Sequence, residues 1–226
     1  MSGPLVLVGG DEFSAGCDFD EELIAAVGAD EVALLPTGSA YENPGKVVEI
    51  ARRWFADLGV GVRPVPVYTR PDAMVAEHVE AVASARLIYL TGTSPMHMRS
   101  VLKDTPVLDA ICAAWHGGAA LVGSGAGADV LCDPMVDTRG GAFTVGLGVI
   151  PRLAVIARSN LWSPDKIHRT VEMVPSGVSL VELPERTAMI LGRDGGWRGA
   201  GVGELVVHQA DGSASLSDLP RPVTAD

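Results

Sequence analysis

The stretch "LVGSGAGADVL", residues 121–131, joins an apolar strand-like run to a helix-competent run through a glycine-dense turn. That layout is a nucleophile elbow, a strained corner between strand and helix whose apex side chain projects into a cleft. The elbow reads small-x-nucleophile-x-small. Laid on Gly123-Ser124-Gly125-Ala126-Gly127, it puts a glycine at the apex. The one hydroxyl nearby is that of Ser124, a residue too early.

Working outward, the same alternation recurs. "PLVLVGG" (4–10), "EVALLPTGSA" (31–40) and "ARLIYLTGTS" (85–94) are short apolar runs closed by glycine turns, the signature of buried strands. Between them, Val47, Ala51, Trp54, Phe55 and Leu58 recur at helical spacing, predicting an amphipathic helix over 46–58 ended by Gly59. "VRPVPVY" (62–68) is a strand whose prolines confine it to a sheet edge. A second helix is predicted over 73–84 with Val75, Val79 and Val82 inward. A third starts at Thr105-Pro106, as cap and first residue, with Leu108, Ile111, Cys112 and Trp115 on its inner face.

This alternation predicts a three-layer α/β fold of the flavodoxin-like kind, with a mostly parallel sheet and helices on both faces. Beyond about residue 135 the texture changes to short strands and glycine turns. "RDGGW" (193–197) signals a hairpin, so short antiparallel strands are expected near the C-terminus. Residues 1–212 read as one domain and 213–226 as a loose tail. Parallel sheets place ligands beyond the carboxyl ends of their strands, which marks the loops 9–13, 37–40, 92–96 and 123–127.

Bulk properties narrow the function. The formal net charge of −11 argues against nucleic-acid or membrane-surface binding, since both targets are anionic. Three cysteines without a CxxC spacing fit a reduced, cytoplasmic setting. Neither a signal peptide nor an apolar run long enough for a membrane span is read. No His, Cys, Asp or Glu pair has metal-ligand spacing, so no metal is expected. A dinucleotide site lacks its acidic partner, and there is no Walker lysine, so no cofactor is expected either.

The order of these motifs resembles the cyanophycinase and peptidase E family of serine peptidases, which have a class I glutamine amidotransferase-like fold. The resemblance rests on seven segments in order: "LVLVGG", "LLPTGSAYENPGKVVEIARRWFADLG", "TGTSPMHMRSVL", "GSGAGA", "GLGVIP", "LPERTAMIL" and "WRGAGVGELVV". It spans roughly residues 5–210. It implies a serine peptidase ancestry and substrates such as aspartyl dipeptides or the β-linked aspartyl-arginine of cyanophycin. It also implies self-association, here as a homodimer.

The departures bear on catalysis. The resemblance sets the catalytic serine at Gly125 and, anchored on Arg169-Thr170, the catalytic histidine at Asn160. The second glycine of the family's oxyanion-site loop becomes Thr93 and its glutamine Pro95. A serine hydrolase needs a hydroxyl, a base within reach of it and oxyanion donors. Gly125 keeps the turn without supplying a nucleophile. The expectation is therefore a catalytically degenerate member acting in binding, regulation or partnership, with no catalytic residue and with Gly125 and Asn160 as vestigial positions. Its ligand pocket is expected at Gly10, Gly92, Thr93, Ser94, Ser124, Gly125, Ala126, Arg158, Asn160 and Glu185, taking a small anionic or peptide ligand.

Alternatives stand beside this. An active peptidase or amidohydrolase would use Ser124, and a subunit without any ligand is a third reading. His168 and His97 are candidates for a relocated base, weighed against surface or capping roles. Asp129, Asp133 and Asp137 read as solvated or capping carboxylates, and Cys112 and Cys132 as core residues of helices. Arg152, Arg158 and Arg169 are expected to assist an anionic ligand held at the start of the helix near Ala126.

Overall fold

The computed structural model describes residues 1–210 and 212–222. Five parallel strands form its centre: β1 (Leu5–Val8), β2 (Glu31–Gly38), β3 (Gly61–Pro64), β4 (Leu87–Gly92) and β5 (Ala120–Ser124). They lie in the order β1-β5-β4-β2-β3, and an antiparallel hairpin, Thr187–Leu191 and Trp197–Gly201, extends the sheet beyond β1. The proline-bearing β3 sits at the edge, where missing donors break no ladder.

Successive residues of each strand enter opposite cores because side chains alternate across a sheet. Val6, Val8, Leu34, Tyr89 and Val122 face α1 (Phe19–Val27) and α2 (Pro44–Asp57). Leu5, Leu7, Leu35, Leu90 and Leu121 face the other layer, which includes α4 (Pro95–Leu102), α5 (Pro106–His116) and α6 (Ala126–Leu131). Between β3 and β4, α3 covers Ala76–Ala83. The fold is thus a mixed α/β fold with a mostly parallel central sheet flanked by helices. Thr105 accepts a hydrogen bond from the Leu108 N–H and Pro106 opens α5, so the cap and its proline work as the sequence implied.

Two expectations are corrected. The helix over 73–84 is broken: a 3-10 turn, Asp72–Met74, precedes α3, and Val75 between them is extended and exposed. Asp72 fixes the turn ahead of the 3-10 segment by accepting from the Tyr68 and Thr69 N–H groups. Cys132 leaves α6 and enters a short extended pair, Cys132–Asp133, though it stays buried. The short antiparallel strands expected near the C-terminus are present, and a parallel pair joins them. Leu153–Ala157 and Ser179–Leu183 pair in parallel at the centre of a second, six-stranded sheet, which α7 (Pro164–Glu172) accompanies.

Of the stretch 213–226 read as loose, residues 223–226 lie outside the described residues. Within the described part, Leu219 is buried and the Trp197 indole N–H donates to the Pro220 carbonyl at 3.0 Å. A buried leucine and an indole partner dock that segment on the hairpin.

Candidate functional site

The elbow forms where the sequence places it. Gly125 stands between β5 and α6 at φ 55° and ψ −115°, a backbone region that strains any residue bearing a Cβ. A Cβ built there would lie 2.8 Å from the Gly92 carbonyl oxygen. Gly127 serves closeness: its Cβ would meet the Leu90 carbonyl at 2.2 Å, so glycine alone lets α6 settle on β4.

Residues 124 and 125 face different surroundings. Ser124 is fully buried, and its hydroxyl donates to Glu12 Oε2 at 2.7 Å. The other oxygen of Glu12 accepts from the Thr91 hydroxyl. Beside them, Asp20 accepts from Tyr89 and Trp54, each at 2.9 Å, and burial lifts its carboxyl to about 7 against the pull of both donors. This network lies beneath α1 and α2.

Gly125 opens instead into a cavity of about 320 Å³ lined by Gly92, Thr93, Ala126 and Asp129 and by Thr138, Ala157, Arg158, Leu161, Trp162 and Lys166. Asp129 is 1% exposed and sits four residues past the apex on α6. One oxygen accepts from the Ala157 N–H at 3.3 Å, and no other hydrogen bond reaches the carboxyl among the described residues. Burial raises it to about 8, while the Ala157 N–H and the Arg158 charge pull it down. Arg158 adopts φ 56° just past the strand Leu153–Ala157, and its N–H donates to the Gly9 carbonyl. Lys166 reaches in from α7. Its ammonium lies 3.4 Å from the Trp162 ring centre and donates to the Thr138 carbonyl at 2.6 Å, and desolvation lowers its pKa.

Of the ten expected pocket residues, Gly92, Thr93, Gly125, Ala126 and Arg158 meet here. The other five do not line the cavity, each for a local reason. Gly10 makes room for the Arg158 side chain, whose Nε would lie 2.6 Å from a Cβ there. Ser94 caps α4 by accepting from the His97 N–H. Ser124 is tied to Glu12. Asn160 and Glu185 bind each other, the Asn160 amide donating to Glu185 Oε2 at 3.2 Å and accepting the Glu185 N–H at 2.8 Å.

Every histidine is engaged away from Gly125. His168 is exposed beside Glu172, 3.4 Å away, and His97 donates to the Tyr68 carbonyl. His78 meets the Asp72 carbonyl, His116 the Ser2 hydroxyl, and His208 the Glu182 carboxylate. Asp129 is neither solvated nor a cap, which corrects that expectation. Asp133 accepts from the distant Gly146 N–H, and Asp137 from the nearby Arg139 N–H. Arg152 and Arg169 are absent from the cavity lining. The sequence reading missed Thr138, Ala157, Leu161, Trp162 and Lys166; Leu161, Trp162 and Lys166 had no signal beyond their place just before or within α7, and Thr138 had none. Among the described residues, no group of three or more His, Cys, Asp or Glu is arranged to hold a metal ion. Likewise no helix there is long and apolar enough to cross a membrane.

Comparison with known proteins bears on this geometry. The sequence profile of peptidase family S51 matches residues 5–144. Cyanophycinases of Nostoc sp. (strain PCC 7120) and Trichormus variabilis are each 24% identical over 216 residues, covering 90% of this chain and 72% of theirs. A crystal structure of a peptidase from an acI-B1 Actinobacterium is similar at a TM-score of 0.83 and 28% identity, covering 92% of this chain and 91% of that one. A putative peptidase E protein from Listeria monocytogenes shares the fold at a TM-score of 0.65 and 16% identity, over 92% of this chain and 99% of its own. With well over half the sequence matched and the elbow standing at the sheet's carboxyl edge, the chain belongs to peptidase family S51.

Proposed function

We propose that this chain is a family S51 protein without serine-hydrolase catalysis at its elbow. It uses the cavity over Gly125 to bind a small anionic or peptide ligand, as a binding, regulatory or partner protein. The observation that carries the reading is an elbow apex with no side chain in a cavity lined by no histidine. Attack on a carbonyl requires both a nucleophile and a base to take its proton. The cations of Arg158 and Lys166 favour an anion despite the acidic chain.

The rival reading makes Ser124 the nucleophile of an active peptidase. Its hydroxyl is a donor to the half-buried Glu12 carboxylate and belongs to the opposite face of the sheet, which counts against it. A fluorophosphonate probe discriminates the two. No serine is labelled on the proposed reading, and aspartyl dipeptides and β-aspartyl-arginine stay intact. Stoichiometric labelling of any serine, or turnover abolished by Ser124→Ala, overturns it. A homodimer in the cytoplasm completes the proposal, and native mass spectrometry showing only monomers would remove the dimer.

A further inference from the structure

We infer that Asp129 is a proton-carrying ligand contact and that the cavity takes a small organic carboxylate, held by an acid-to-carboxylate hydrogen bond between Arg158 and Lys166. This rests on reading the cavity as a ligand site, and it adds the ligand class and a coupling to pH.

The geometry is specific to this residue. α6 is a single short helix whose six residues are all buried, and Asp129 is the one titratable side chain it carries. A buried carboxyl costs free energy unless its oxygens are partnered. Asp20 meets that requirement with two donors, whereas Asp129 has one long contact at 3.3 Å and otherwise borders the cavity. An acid so placed carries its proton at neutral pH, in keeping with its raised pKa of about 8. It therefore offers an O–H donor toward the open volume.

The cavity walls select the acceptor. Other titratable groups lie on elements around α6. His97 and Arg99 of α4 are engaged with the Tyr68 and Gly146 carbonyls, and Asp133 with the Gly146 N–H. The Cys132 thiol donates to the Ala128 carbonyl, and Tyr89 of β4 lies on the far face with Asp20. Among the described residues, Arg158 and Lys166 are the charged groups that share the cavity with Asp129, and the Arg158 guanidinium also faces the Glu185 carboxylate, 3.7 Å away. A neutral acid and two cations match a small carboxylate such as succinate: one oxygen accepts from Asp129, and the remaining charge is met by the cations. Trp162 and Leu161 supply apolar wall for a short carbon chain.

The shared proton sets the pH dependence. A carboxylate ligand is ionised above its own pKa, and Asp129 must be protonated to receive it. Affinity is therefore greatest below about pH 8 and falls roughly tenfold per pH unit above it, because binding then takes up one proton.

Isothermal titration calorimetry with succinate tests this, at about pH 6.5 and about pH 9 and in buffers of different ionisation enthalpy. Wild type should bind more tightly at the lower pH and take up one proton per succinate at the higher. Asp129→Asn keeps an oxygen for the Ala157 N–H and offers a donor that does not titrate, so it should bind succinate equally at both. Four outcomes overturn the inference: equal wild-type affinity at both pH values, a variant that follows the wild-type dependence, no succinate binding by folded protein at the lower pH, or succinamide binding as tightly as succinate. None of these involves hydrolysis. Serine labelling would thus sink the non-catalytic reading and leave this one standing, and a flat pH profile would do the reverse.

Discussion

Two buried aspartates on opposite faces of one sheet show how the same side chain serves two ends. Asp20, under α1 and α2, has a donor on each oxygen and borders packed aromatic rings. Asp129, on α6, has one donor and borders a cavity. Both carboxyls are raised by burial, to about 7 and about 8, so neither value alone separates them. Partner count does. A closed acid is part of the packing, and an acid left open to a cavity is available to something else.

The sharpest way to break this comparison is to remove each acid in turn. Asp20→Ala strands the fully buried Tyr89 O–H, at roughly 1–3 kcal/mol, and also removes the acceptor of the half-buried Trp54 N–H. Thermal unfolding should then drop by several degrees, at about 2–4 °C per kcal/mol for a chain of this size. Asp129→Ala strands a single N–H beside a cavity that water can enter, so its loss should be distinctly smaller. Equal losses would erase the distinction.

Gly125→Ser asks whether the elbow lacks only its nucleophile. A Cβ at positive φ, 2.8 Å from the Gly92 oxygen, should cost about 1–3 kcal/mol. No hydrolysis of aspartyl dipeptides should appear, since no imidazole stands by. Restored turnover would mean that the base is present and unrecognised.

Titration of stability is subtler. Both acids bind protons more tightly in the folded state than at the ordinary carboxylate value of 3.8. The folded chain therefore holds more protons than the unfolded one between that value and about 8, and stability declines as pH rises through the window. Urea unfolding across it should show the decline, and Asp129→Asn should flatten its upper part. A profile rising with pH would contradict the burial of both groups. The smallest effect belongs to Ser124→Ala, about 0.5–1.5 kcal/mol for one hydrogen bond to Glu12, with succinate binding unchanged. A change in that binding would move Ser124 into the cavity.

How far the sequence carried the reading follows from where each signal lies. β1, β2, β4, β5 and the face of α2 were legible because burial imposes a repeating pattern on contiguous residues. The break at Val75 was not, since one extended residue between a 3-10 turn and α3 leaves the apolar spacing unchanged. The pairs Cys132–Asp133 and Ile150–Pro151 in the second sheet are too short to display any period. In the site, Gly92, Thr93, Gly125 and Ala126 were readable as loops after strands. Asn160 matched a family position and Glu185 stood in the matched "LPERTAMIL" segment, yet the structure turns them toward each other.

By itself the sequence determined the layered sheet and the empty apex of its elbow, because both are written in neighbouring residues. Which groups surround that apex was decided only in three dimensions. Asp129, Arg158, Trp162 and Lys166 come from α6, a strand end, the turn ahead of α7 and α7 itself, and meet only when the second sheet docks against the first. A contact between distant segments leaves no local pattern, so the chemistry of the cavity is a property of the packing.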